Sequence, residues 1–439
     1  MMPFYLLSLR LSGIKNIEVP IEFQFYKKTI KNDFDPSNYR IKAIYGENGS
    51  GKTAIITAVK ILSNIISGDN YLFDSVTQRN LLELINKKTK AVLIEVEYFL
   101  NSDIIKNCYK YRIELKIEKD NRVHISTETL QVRKGANSQN KYTAVYKVEH
   151  GELVEHSNNP LFVEYKNATQ NLLSQRSFAS FALDFLKPNE KNISPEDIHV
   201  LYLFVFAFRL NVYIDQADDH RKYINDLILS ELKEKKPEEI YDSAVEADLS
   251  LNEYNDGVVP KEHFENYKMG IARMCSFIQM FKPNLKNILI ETKDYNTGYK
   301  CNLVMEYTHY SIASEFESNG IKKLMSLFGC LDAACRGFIV FIDELDSNIN
   351  DIYLNKIIEY FMKFGYGQLC FTAHNLSPMS ILKSNKLSIS FISNTNTVHT
   401  WVRNGNQSPE SAYRDGFIDD SPFNVDASDF LGILGGSNE

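Results

Sequence analysis

Apolar and polar residues alternate over residues 4–11 and 19–26, with Gly13 between the runs. A period of two predicts a pair of half-buried strands. Residues 40–45 (RIKAIY) form a third short β-like run. After the Gly-rich octet 46–53 the period changes: Ile55, Val59, Leu62 and Ile66 recur at helical spacing, and Gly68 marks the stop. Residues 91–99, 109–117, 121–134 and 142–149 alternate again, so 91–150 reads as antiparallel sheet. Residues 196–234 read as helical, with a solvated charged break at 231–239 around Pro237. A loop-like stretch at 247–259, a helix at 262–281 and strands within 288–308 follow. The last third has another rhythm: helix at 318–331, a wholly apolar strand at 338–342, helix at 351–364, strand at 368–372, helix near 377–383, strands at 387–391 and 396–402. Strand and helix in alternation predict a largely parallel sheet, hence an α/β fold.

The pattern divides the 439 residues into four units. An N-terminal lobe covers 1–180 and holds the Gly-rich turn and the antiparallel strands. A mainly helical inserted lobe covers 181–285, a C-terminal lobe 286–403, and an acidic tail 404–439. The tail's aromatic and acidic residues suit either a docking segment or a loosely ordered end. Lys and Arg total 49 against 56 Asp and Glu, a net charge of −7. That excludes a uniformly basic nucleic-acid coat, though not a local basic groove; lysines within 282–293 fit ordinary surface placement equally well. Cys108, Cys275, Cys301, Cys330, Cys335 and Cys370 form no CxxC pair and have no His at zinc-finger spacing. A structural zinc site is not expected, and a reducing compartment is. The opening MMPFYLLSLRLSG lacks a basic leader region and a small-residue cleavage site. The most apolar stretch, 198–214, contains His199 and Arg209 and reads as a buried helix, not a membrane span. A cytoplasmic protein with no membrane association is the expectation.

Candidate chemistry sits at both ends of the chain. Gly46-Glu47-Asn48-Gly49-Ser50-Gly51-Lys52-Thr53 matches GxxxxGK[ST] in full, between a strand and a helix. Gly46, Gly49 and Gly51 let backbone N–H groups, with those of Asn48 and Ser50, curl around phosphate oxygens, and the helix N-terminus adds its dipole. Lys52 is placed for the β- and γ-phosphates and Thr53 offers an oxygen to Mg²⁺. Far downstream, Phe-Ile-Val-Phe-Ile at 338–342 suits a strand covered on both faces. Asp343 at its end would hold Mg²⁺, and Glu344 would accept a proton from the attacking water. Ser318 and Gly320 stand at a helix start, where a hydroxyl and backbone N–H groups meet phosphate; in isolation they would be a plain N-cap. His374 follows a short strand and can reach a γ-phosphate or the water, although a lone His is more often a surface residue.

In this order the pieces resemble the ABC-type ATPases of the RecF, SMC and OLD group. GENGSGKT is similar to their Walker A motif, ESNGIKKL to the divergent signature, FIVFIDELDSNIN to Walker B plus the D-loop with Asp346 at its core, and FTAHN to the switch-histidine segment. LRLSGIKNI resembles their first strand and turn. The resemblance implies an ABC-type P-loop NTPase head with an antiparallel β subdomain and an inserted helical lobe. The long interval from Lys52 to Asp343 leaves room for such a lobe in place of coiled-coil arms. Two departures stand out. Asn350 occupies a place where many relatives have His, and the Q-loop is not legible, Gln170 and Gln175 both being candidates.

The resemblance also implies a mechanism. ATP and Mg²⁺ would lie between two protomers, one supplying Lys52, Thr53, Asp343, Glu344 and His374, the other Ser318, Gly320 and Asp346. A homodimer or a higher multiple of dimers follows, with slow hydrolysis. Size and signature most resemble stand-alone AAA-type, OLD-like ATPases of bacterial anti-phage defence, which control a separate effector, a nuclease or toxin. The chain ends too soon after the motifs to carry a TOPRIM nuclease, so such an activity is expected on a partner. The alternative is a RecF- or SMC-like DNA-binding ATPase of repair or recombination.

Overall fold

The computed structural model describes residues 4–28, 30, 34–68, 70–102, 105–135, 140–156, 160–169, 172–186, 197–214, 258–295, 298–402 and 407–421. The first strands are β1 (Phe4–Ser12), β2 (Ile21–Gln24), β3 (Ile41–Tyr45), β4 (Ala91–Asn101), β5 (Lys106–Ile117), β6 (Val123–Lys134), β7 (Thr143–Glu149) and β8 (Glu152–His156). Then come β9 (Leu210–Tyr213), β10 (Val258–Pro260), β11 (Leu285–Tyr295), β12 (Gly298–Tyr307), β13 (Ser311–Ala313), β14 (Ile339–Ile342), β15 (Gln368–Thr372), β16 (Ile389–Ile392) and β17 (Val398–Thr400). The α-helices are α1 (Lys52–Ser67), α2 (Ser75–Leu84), α3 (Pro160–Ala168), α4 (Phe178–Leu186), α5 (Asp197–Phe208), α6 (Phe264–Gln279), α7 (Asn319–Cys335), α8 (Asp351–Phe364), α9 (Met379–Leu382) and α10 (Pro409–Arg414).

The molecule is a mixed α/β protein, built among the described residues on three sheets. Seven antiparallel strands run in the order β2-β1-β4-β5-β6-β7-β8. Six more run β17-β16-β3-β15-β14-β9, all parallel except the edge pair β16–β17. A small antiparallel sheet holds β10-β12-β11, with β13 on β12. In β4, Val92, Ile94, Val96 and Tyr98 are buried at alternate positions, the signature of a strand with one face on the core. In β3, β14 and β15 every residue is buried, because both faces are covered. The two faces serve different cores. Ile339, Phe341 and Cys370 join α1 and the antiparallel sheet, whereas Val340, Ile342, Leu369 and Phe371 join α6, α7 and α8.

Two buried side chains staple the layers. Gln368 of β15 accepts from Leu6 N at 2.6 Å and donates to Leu6 O at 2.9 Å, giving β1 a partner where its register against β4 shifts. Glu128 of β6 accepts from Tyr111 Oη, Tyr146 Oη, Ser177 Oγ and Phe178 N, between 2.7 and 3.1 Å, so its carboxylate ties three strands to the start of α4. Four donors make a fully buried carboxylate tolerable.

The antiparallel sheet over 91–150 and the β–α rhythm of the last third are as the pattern predicts, with β8 an unforeseen extra strand. One prediction fails. The helix expected to run from 196 to 234 stops at Phe208, and Leu210–Tyr213 becomes the edge strand beside β14. A run apolar on every side carries no period, so pattern alone cannot separate buried helix from buried strand there. Residues 187–196 and 215–257, about half of the expected inserted lobe, lie outside the described residues. Among the described residues, no helix is long and apolar enough to cross a membrane.

Candidate nucleotide site

The octet 46–53 joins the end of β3 to the start of α1, and the close packing of this turn sets its residues. Gly51 caps the helix at φ +105°, a left-handed conformation, and a Cβ there would lie 3.0 Å from the Ile17 side chain. At Gly46 a Cβ would stand 2.4 Å from Ile392 O and 2.6 Å from Ser50 Oγ. The turn after β1 braces the loop from outside: Asn16 Nδ2 donates to Gly49 O at 2.6 Å. Asn16 lies within the first-strand segment noted in the sequence, but nothing in its spacing marks it as a loop brace.

The loop fits a phosphate chain. Ser50 is fully buried, and its Oγ has no hydrogen-bond partner among the described residues. Lys52 Nζ donates to Gly46 O at 2.8 Å and Glu47 O at 2.9 Å, loop carbonyls that a phosphate oxygen would replace. Burial pushes the Lys52 ammonium below its ordinary pKa, while Asp343, Glu344, Asp346 and Glu47 pull it back up. Those carboxylates therefore converge on Lys52 from two distant parts of the chain.

Asp343 leaves the end of β14 as a buried carboxylate, its N–H donating to Tyr213 O of β9 at 2.9 Å. Thr372, fully buried at the end of β15, donates to Asp343 Oδ1 at 2.6 Å and accepts from Glu344 N at 2.8 Å. One hydroxyl thus holds both members of the acidic pair. Glu344 has φ +48°, rare for a residue with a side chain. This turns its carboxylate to within 3.9 Å of His374 Nε2, both side chains remaining half exposed.

Asp346 is placed by its own chain. Its Oδ2 accepts from His374 N at 2.8 Å and Asn375 N at 2.6 Å, fastening the turn after β14 to the turn after β15. Asn350, with no role assigned from sequence, caps α8 by accepting from Ile352 N at 3.0 Å. Ser318 is the N-cap of α7, accepting from Ile321 N, and a Cβ on Gly320 would lie 3.7 Å from Asn348 O. The start of α7 therefore sits beside the 345–350 turn. A cleft of about 440 Å³ opens at the loop, lined by Tyr45, Gly46, Glu47, Asn48, Ala373, His374, Leu376 and Tyr413. Ser318 and Gly320 are not part of that lining, nor are Gly49, Ser50, Gly51, Lys52, Thr53, Asp343, Glu344 and Asp346, which lie around it. Gln175 ends a short 3-10 turn, its N–H on Leu172 O, and is not part of the lining either; Gln170 lies outside the described residues.

Thr53 and Asp343 are the residues that would hold Mg²⁺. One carboxylate and one hydroxyl suit that ion, which keeps several waters and takes phosphate oxygens as its other ligands. Thr372 uses one Asp343 oxygen and leaves the other free of a side-chain donor among the described residues.

A phosphate-cradling loop at the carboxyl end of a parallel strand, faced by an acidic pair on the strand two places along, defines a P-loop nucleotide hydrolase. The chain belongs to the AAA domain family, whose model matches residues 8–257. This is a P-loop ATPase family of the SMC and RecF type; its members generally hydrolyse ATP and typically use Mg²⁺. The match takes in the phosphate loop and ends before Ser318 and Asp343, which stand on the geometry alone. No curated protein matches the chain.

Proposed function

We propose that the chain is an ABC-type ATPase whose ATP sites are completed by a second copy, and whose closure around ATP controls a separate effector protein, a nuclease or toxin, in anti-phage defence. The observation that carries the hydrolytic reading is the convergence of Lys52, Asp343, Glu344 and His374 at the carboxyl ends of β3, β14 and β15. ATP would displace Lys52 from the carbonyls of Gly46 and Glu47. Thr53 and Asp343 would hold Mg²⁺, which would supply charge neutralisation to the phosphates when bound. Glu344 would take the proton of the attacking water, with His374 3.9 Å away to orient Glu344 and the γ-phosphate side of the cleft. Thr372 keeps the metal-holding and proton-accepting carboxylates in fixed relation.

The dimeric part rests on Ser318 and Gly320 standing at a helix N-terminus beside the 345–350 turn. Donors so placed can serve a phosphate on a neighbouring protomer. Control of an effector rests on the resemblance of the motif set, and the net charge of −7 favours a protein partner over broad DNA wrapping. Glu344→Gln tests the core of the reading: hydrolysis should fall about 100-fold or more while ATP is still bound, trapping a closed dimer. Full steady-state hydrolysis by that variant overturns the role of Glu344. Co-purification from the native host, with and without phage challenge, tests the effector. A tight protein complex released on challenge supports it, and salt-dependent DNA affinity without a protein partner rejects it.

A further inference from the structure

The cleft at the phosphate loop has one wall that the ATPase motifs do not supply. It comes from the C-terminal tail, which the sequence leaves as either a docking segment or a loose end. Residues 407–421 pack against the parallel sheet. Ser408 caps α10, its Oγ accepting from Ser411 N at 3.0 Å, and Ala412, Tyr413 and Ile418 are buried in the core shared with α6–α8. The Tyr413 ring stacks on Phe391 of β16, centroids 5.4 Å apart at 18°, and Phe391 packs in turn on Tyr45 at the end of β3. Further along, Asp420 accepts from Asn394 N at 2.9 Å, and Asn394 Nδ2 donates to Glu47 Oε2 at 3.0 Å. Glu47 is the loop residue whose carbonyl holds Lys52 Nζ. The tail thus reaches the residue that restrains the loop lysine.

Tyr413 lines the cleft together with Gly46, Glu47, Asn48 and His374. Its hydroxyl has no hydrogen-bond partner among the described residues. Burial and the neighbouring Glu47 carboxylate push its pKa up to about 12, so the phenol keeps its proton and acts as a donor. Two facts decide which end of a nucleotide this donor meets. Lys52, which would serve the outer phosphates, donates to the carbonyls of Gly46 and Glu47. His374, beside Glu344, lines the same space. On the reading of the cleft as an ATP site, this is the end where the bond to the outermost phosphate would break.

We propose that Tyr413 donates its phenolic O–H to the terminal phosphate of bound ATP, so that residues 407–421 distinguish ATP from ADP. The inference rests on the reading of the cleft as an ATP site. The test compares calorimetric affinities of the full-length chain and two variants for ATPγS and for ADP, each with Mg²⁺. Tyr413→Phe keeps the ring on Phe391 and removes only the donor. The expected result is about tenfold weaker ATPγS binding with ADP affinity within about twofold of the parent. Lys52→Ala should weaken both nucleotides. If Tyr413→Phe leaves ATPγS affinity unchanged, or weakens both nucleotides alike, the proposal is overturned while the ATP site stands. If the parent chain binds neither nucleotide, the ATPase reading itself falls and the proposal with it.

Discussion

At the residue scale the site turns on the hydroxyl of Thr372, which lies in the FTAHN segment but has no role assigned from sequence. Thr372 gives its proton to Asp343 Oδ1 and takes one from Glu344 N, while it is wholly shut off from water. Valine has the same shape and neither capacity. In Thr372→Val the Asp343 carboxylate loses a donor and the Glu344 N–H loses its acceptor, each a buried group left unmet. The positive φ at Glu344 then has less to hold it. Hydrolysis should fall about tenfold and unfolding free energy by about 1–2 kcal/mol. Metal-free nucleotide affinity should stay near the parent value, because Lys52 and the loop are untouched. Thr372→Ser, which keeps the hydroxyl, should recover most of the rate. Equal damage from serine and valine would show that shape, not the hydrogen bonds, matters there.

At the scale of elements, burial on both faces of the parallel strands explains a lysine that the mechanism does not use. In β3 the alternation sends Ile41, Ala43 and Tyr45 to one core, while Lys42 and Ile44 face the antiparallel sheet. Lys42 is 2% exposed, donates to Ser390 Oγ at 3.1 Å and lies over the Phe25 ring. Burial pushes its pKa down to about 8 from the usual 10.5. Below pH 8 both folded and unfolded chains carry the proton, and folding bears the whole desolvation cost, about 3 kcal/mol. Between pH 8 and 10.5 the folded chain gives up the proton first, so this contribution to stability rises with pH. Lys42→Met should therefore stabilise the protein at pH 7, with Ser390 still bonded to Thr400 Oγ1 at 3.2 Å. The gap between variant and parent should close by about pH 10.5 in chemical denaturation; a gap independent of pH would refute the ionic cause. The same strands show what was legible in the sequence. Where one face meets a core, as in β4, the period of two locates the strand. Where every side is apolar, as over 198–214, the period vanishes and β9 goes unseen. Lys52, Asp343, Glu344 and His374 were legible because loop chemistry and strand ends leave local marks. Thr372, Asn16 and Tyr413 were not, because their roles arise from contacts between segments far apart in the chain.

At the scale of the whole molecule, residues from distant parts of the chain meet at the carboxyl ends of β3, β15 and β14, while the signature residues stand at the start of α7, beside the 345–350 turn. Two arrangements can follow. If ATP is clasped between two copies, Lys52 of one chain and Ser318 of the other serve the same phosphates, and neither chain is sufficient alone. If each chain is self-sufficient, Ser318 is only the cap of α7, and losing it costs about 1 kcal/mol of stability and little activity. Mixing two defective chains separates these cases. Lys52→Ala removes the phosphate-binding cation, and Ser318→Arg obstructs the face presented to a neighbour. Each variant alone should be inactive if the site is shared. In an equimolar mixture about half of the dimers pair one chain of each kind, and each such pair has one intact site and one doubly defective site. ATPase activity should return to roughly one quarter of the parent value, and the return should depend on protein concentration as dimers form. Substantial activity of Ser318→Arg by itself, or no recovery on mixing, would instead place the whole catalytic site within a single chain.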